Sequence, residues 1–241
     1  MSPDSPNQNE FFYSYSADEL DIIPEDIIQL VNADYRADSD AYFSIIAELL
    51  ELIPPNHEYR SEMKLFSNIS FMNDYFKLKV ENIVFSLSEV LYKDISESVM
   101  VSFFVCTAGD IFTDISMEFS RKEEYLKAYL VDLAGNIAVG KLASRATGNI
   151  MEKAGKMGMK ATNYYCPGNC GWDLNEQRRI FKLLSGEFAG VRLNDNNMMS
   201  PMKSISGLIG IGRNIIFREN TCELCSNKSC IYRDISYRRI K

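Results

Sequence analysis

An α+β domain is the fold this 241-residue sequence predicts. Segments with apolar residues at helical spacing are interleaved with segments that alternate or run continuously apolar, and no repeat or linker divides the chain. Order alone fits an α/β arrangement equally well. The chain is 46% hydrophobic and 24% charged, which is ordinary globular usage, so disorder is excluded as its main state. The expected organisation is a polar N-terminal leader over residues 1–20, an α+β domain over 21–217 and a basic, cysteine-rich segment over 218–241.

The elements follow in order. Pro24 suits the first turn of a helix, and Glu25 and Asp26 complement its positive end, so a helix is predicted from Pro24 to Tyr35 and a second from about Ser39 to Ile53. Pro54 and Pro55 stop the second helix, because proline cannot donate to the preceding turn. Met63, Leu65, Ile69 and Phe71 keep a period of two, as a half-buried strand does, whereas Val99 to Cys106 is a continuous apolar run suited to a strand covered on both faces. Ser86 with Glu89, Ser120 with Glu123 and Asp173 with Glu176 have the spacing of capping boxes. The second of these opens the longest predicted helix, about nine turns, stopping near Gly155 or Gly158. Residues 159–165, 191–193, 205–211 and 215–217 read as strands, and a helix runs to about Leu184.

Charge and composition remove several functions. Lys and Arg total 26 against 33 Asp and Glu, a net charge of −7, so the chain is not built to coat a phosphate backbone, and nucleic acid is not expected as a partner. His57 is the only histidine, which deprives catalytic triads, histidine zinc sites and phosphohistidine relays of their usual group. It sits beside two prolines and reads as a surface loop residue. The N-terminus lacks the basic start and apolar core of a secretory signal, and no stretch approaches the ~20 apolar residues of a membrane span, so a cytoplasmic protein is expected. The acidic residues Asp18–Asp21 and Glu123–Glu124 read as solvated faces or helix starts.

Three features carry candidate chemistry. Within the long helix, Ala134, Gly135, Ala138 and Gly140 imply that something packs very close, with Asp132 and Asn136 as the polar exceptions one turn apart. The run Tyr164-Tyr-Cys-Pro-Gly-Asn-Cys-Gly-Trp172 joins a strand to a helix through a tight turn that either cradles a small polar ligand or is only a turn, with Trp172 stapled against Leu174. Finally, Cys222, Cys225 and Cys230 place three of the six cysteines within nine residues. In a reducing compartment such spacing favours a metal over a disulfide, with Cys170 preferred as fourth ligand and zinc or an iron–sulfur cluster as the species that thiolates alone can hold. Residues 218–241 carry six basic and three acidic side chains, and Lys228 and Arg233 suit a negative thiolate cluster. Reduced, unliganded thiols are the alternative.

The segment Cys166-Pro-Gly-Asn-Cys-Gly-Trp-Asp-Leu-Asn-Glu-Gln177, followed by Arg192-Leu-Asn-Asp-Asn-Asn-Met-Met-Ser-Pro-Met-Lys-Ser-Ile-Ser-Gly207, resembles the activation domain of cobalamin-dependent methionine synthase, in its stand-alone bacterial form most of all. Leu193, Met199, Pro201, Ser204, Ser206 and Gly207 match the second of that family's two motifs. Gly168 matches the glycine of the first, an Arg-x-x-x-Gly-Tyr loop, in which Tyr164 stands at the arginine position and Asn169 at the tyrosine position. The resemblance implies a single elongated domain around a twisted antiparallel sheet flanked by helices. It also implies S-adenosylmethionine at Tyr164, Cys166, Pro167, Gly168 and Asn169.

By the same resemblance, the expected function is that of an accessory protein for reductive reactivation of a corrinoid-dependent methyltransferase such as methionine synthase. The partner brings cobalamin, an electron donor such as a flavodoxin or ferredoxin supplies the electron, and this chain does not turn over by itself. The alternative is a metal- or cluster-bearing accessory for electron transfer or corrinoid handling that has lost S-adenosylmethionine.

Overall fold

The computed structural model describes residues 9–31, 39–184 and 186–218. Its centre is a five-stranded antiparallel sheet built from β1 (Glu10–Tyr15), β2 (Tyr59–Phe66), β6 (Met100–Thr107), β10 (Ser204–Gly212) and β7 (Lys160–Tyr165), in the order β1-β2-β6-β10-β7. The expected α+β class with an antiparallel sheet is therefore the one observed. β6 is the apolar run of the sequence, and it lies between β2 and β10 with seven consecutive residues buried, because both of its faces are covered. In β10, Gly207 lies opposite Phe104, and a Cβ there would come within 2.6 Å of that ring, so only glycine lets the two strands keep their register.

Neighbouring residues of β6 point to opposite faces and build two cores. Phe104 and Cys106 join a core with α6 (Tyr125–Lys156), α2 (Pro24–Ile28), α3 (Ser39–Leu50) and Phe112 of α5 (Ile111–Arg121). Phe103 and Val105 face a second core with α4 (Glu89–Ile95), α7 (Glu176–Leu183) and the small sheet β3 (Ile69–Met72), β4 (Lys77–Val80), β5 (Ile83–Ser86). The 32 residues of α6 span about 48 Å. Its buried face is lined by Ala134, Ala138, Ala143, Ala146 and Ala154, small side chains that let the helix lie close on the sheet.

The long helix ends where expected, with Gly158 at φ +66 just after Met157, but several local expectations are corrected. Residues 10–15, inside the polar leader, form the edge strand β1, and the capped turn α1 (Ala17–Leu20) follows. Among the described residues the first predicted helix covers only Pro24–Ile28, and residues 32–38 lie outside them. The alternation from Met63 to Phe71 is split at Ser67–Asn68 into β2 and β3, which belong to different sheets.

None of the three expected capping boxes forms. Ser88, not Ser86, caps α4 by accepting from the Leu91 amide at 3.2 Å. Glu123 sits at φ +63 in the turn between α5, a helix not expected from the sequence, and α6. Glu176 begins α7 and reaches across to the Ser86 amide instead of back to Asp173. Only Arg192–Leu193 of the predicted 191–193 strand is extended, as β8, which pairs with β9 (Met199–Ser200); residues 215–217 form no strand. His57 is half-buried, its Nε2 2.9 Å from the Ala108 carbonyl and its ring edge-on to Tyr59.

Candidate functional site

The candidate loop begins where β7 ends. Tyr164 and Tyr165 point to opposite faces of the sheet, as strand geometry requires. Tyr164 lies half-buried on the α6 side, edge-on to Phe104 with ring centroids 6.0 Å apart. Tyr165 is buried on the other side, where its hydroxyl donates to Asp94. The Asp94 carboxylate also accepts from Arg218 Nε at 2.8 Å, and the side-chain amide of Asn163 donates to the Arg218 carbonyl at 2.9 Å. The last described residue of the chain is therefore tied to β7.

From Cys166 the chain turns on itself. The Asn169 amide donates to the Cys166 carbonyl at 3.0 Å, the Trp172 amide to the Asn169 carbonyl at 2.9 Å and the Gly168 amide to the Trp172 carbonyl at 2.8 Å. Gly168 holds φ +92, which a residue with a Cβ rarely adopts, while Gly168 and Asn169 are exposed. Three amides of the turn are thus used within the loop rather than offered to a ligand. Cys166 and Pro167 are buried, and burial pushes the Cys166 thiol well above its ordinary range, with the Cys106 and Cys170 thiols adding to the shift. Trp172 is buried in the second core and its indole N–H donates to the Ser86 carbonyl at 3.0 Å.

Immediately before β10, the chain brings in Lys203, which periodicity does not single out. Its ammonium bonds Asp132 at 2.6 Å and Asn136 at 2.9 Å, so the two polar exceptions of the long helix share one partner. Gly135 between them explains the close packing expected there: a Cβ would lie 2.9 Å from both Cδ and Cε of Lys203. The partner is a lysine side chain rather than a neighbouring backbone.

Tyr164, Cys166, Pro167, Gly168, Asn169 and Cys170 lie within one seven-residue run, in which Gly168 and Asn169 are exposed, Cys166 and Pro167 buried, and Tyr164 and Cys170 half-buried. Cys222, Cys225 and Cys230 lie outside the described residues. Among the described residues, no group of three His, Cys, Asp or Glu side chains is placed to hold a metal. No helix among them is long and apolar enough to cross a membrane.

This architecture, a five-stranded antiparallel sheet backed by one long helix with a tight turn after the edge strand, defines the class as the reactivation-domain fold. Among solved structures it resembles the MetH reactivation domain bound to AdoHcy, at 13% identity and a TM-score of 0.64, covering 87% of this chain and 80% of that one. No protein-family model matches the chain and no curated protein matches it in sequence.

Proposed function

We propose that this chain is an accessory protein related in role to the MetH reactivation domain, assisting reductive reactivation of a corrinoid-dependent methyltransferase such as methionine synthase. The shared fold over 87% of the chain carries the reading. That structure binds AdoHcy, which supports S-adenosylmethionine as this chain's ligand and methyl donor. In that role S-adenosylmethionine held by this chain would supply the methyl group to the partner's cobalamin, and a donor such as a flavodoxin or ferredoxin would supply the electron.

The residues present fit such a ligand in part. Gly168 and Asn169 offer an exposed, internally braced turn at the end of β7. Tyr164 provides a neutral hydroxyl where an arginine would clamp a carboxylate by two charged hydrogen bonds, a difference of about 1–3 kcal/mol. Calorimetric titration with S-adenosylmethionine and AdoHcy is the test. Saturable binding is expected, weakened by Gly168→Val and tightened about tenfold by Tyr164→Arg. Absence of saturable heat from both the natural protein and Tyr164→Arg rejects the ligand.

A second reading, a thiolate metal or cluster site at Cys170, Cys222, Cys225 and Cys230, is favoured by one observation. Arg218 is fastened to Asp94, Asp94 to Tyr165, and the Cys170 thiol helps push the Tyr165 hydroxyl upward, so Cys222 begins only four residues beyond an anchor near Cys170. Four residues of extended chain reach about 14 Å. Metal analysis of anaerobically purified protein is expected to find zinc or iron that Cys225→Ala removes; metal-free protein rejects this reading.

A further inference from the structure

A second candidate site lies away from the loop. An open cleft of about 240 Å³ is lined by residues near α1, the end of α3 and the start of β2. Asp18 and Asp21 are exposed at its rim, Ile22, Leu50 and Ile53 form apolar walls, and Tyr59 lies at its floor.

Tyr59 is only 1% exposed, and no hydrogen bond to its hydroxyl is found among the described residues. Burial alone pushes that hydroxyl up to about 12. Among the described residues the unpaired hydroxyls fully sealed from solvent are those of Ser98, Ser102 and Thr113, so the Tyr59 hydroxyl keeps a small exposure, and Tyr59 lines the cleft. A buried hydroxyl without a partner costs about 1–3 kcal/mol, a cost that a ligand atom bonded to it would offset.

The rim has its own electrostatics. The Lys141 ammonium caps the Asp21 carbonyl but is paired with Asp26 at 2.7 Å, and Arg145 donates to the Glu19 carbonyl at 2.8 Å. Neither Asp18 nor Asp21 forms an ion pair among the described residues. The chain's net charge of −7 adds to their attraction for a cation.

We propose that this cleft binds a short, linear organic amine with a neutral hydroxyl or carbonyl at its far end. The ammonium head lies between Asp18 and Asp21, the carbon chain lies along Ile22, Leu50 and Ile53, and the neutral end hydrogen-bonds Tyr59. A charged group at the floor is disfavoured because the apolar walls would strip its water without supplying a counter-charge. β2 and β7 are three strand spacings apart, about 14 Å, so the site is separate from the turn at Gly168.

The test is calorimetric titration of the full chain with linear aminopentanol, with pentylammonium and hexanol as comparators. Saturable binding of aminopentanol is expected, about tenfold weaker for pentylammonium and undetectable for hexanol. Asp18→Asn with Asp21→Asn should weaken both amines about tenfold, while Tyr59→Phe should make the two amines equal. Both aspartates are exposed, and Asp21 sits at φ +50, where asparagine is well tolerated, so these variants keep the fold, as circular dichroism verifies. No saturable heat from either amine, or affinities unchanged in the double asparagine variant, would overturn the proposal. S-adenosylmethionine binding should be unaffected in that variant; its loss would mean a single shared site and equally overturn it.

Discussion

Gly135 and Lys203 show how one missing side chain decides a local arrangement. Alanine at 135 gains up to ~1 kcal/mol of helix propensity. It also places a Cβ 2.9 Å from the middle of the Lys203 chain, and Lys203 is held at its end by Asp132 and Asn136. Gly135→Ala is therefore expected to destabilise the protein by about 1 kcal/mol, the lost charged hydrogen bonds outweighing the propensity gain. In a Lys203→Ala background the sign should reverse, because only the propensity term remains. Urea unfolding of the four proteins of this cycle measures the coupling, and additive effects would show that Lys203 does not constrain position 135.

At the scale of the element, α7 is oriented by a carboxylate. Glu176 is buried, accepts from the Ser86 amide at 3.2 Å and pairs with Arg179. Burial nevertheless wins over both partners and raises its carboxyl above the ordinary 4.5. Glu62, which accepts from the Ala189 amide at 2.6 Å, is raised for the same first reason. A carboxyl whose folded value is raised is relatively stabilising when protonated. That contribution is fully present below the unfolded value and is lost as pH rises through the folded one. Glu176→Gln keeps an oxygen for Ser86 and removes the ionisation, so its stability should fall less than that of the natural protein as pH rises just above 4.5. Thermal midpoints across that window test the sign, and parallel profiles would exclude Glu176 as a source of the slope.

For the whole molecule, the alternation of Phe103 and Phe104 joins the two cores through one strand. Both cores pack on the central sheet, so they should unfold together. Trp172 reports the second core and α6 dominates the helical signal of the first. Tryptophan fluorescence and far-ultraviolet circular dichroism should therefore share one denaturation midpoint. Trp172→Phe, which removes the bond to Ser86 and leaves a void, should lower the circular dichroism midpoint, which α6 of the first core dominates, through a loss of about 2–3 kcal/mol. Separate midpoints would divide the molecule into independent units.

Much of this architecture is legible in the chain itself. The apolar run at 99–106 reads as a doubly covered strand, the helix through 125–156 follows from its period and its glycine stop, and the small residues around Gly135 announce a close contact. These are local signals, since period, length and punctuation survive without knowledge of partners. Which strands pair, what fills the space over Gly135 and where Glu176 reaches are long-range matters. Capping-box spacing at three sites is satisfied in the sequence and unused in the fold, because a serine or glutamate bonds whichever amide the packing brings near. The candidate loop is visible as a contiguous motif, whereas the cleft of Asp18, Asp21 and Tyr59 is assembled from segments some forty residues apart. Sequence determined the strongly periodic elements and the motif between them; the tertiary structure decided strand order, the buried side of each residue and the cleft at Tyr59, because those depend on contacts that no local pattern encodes.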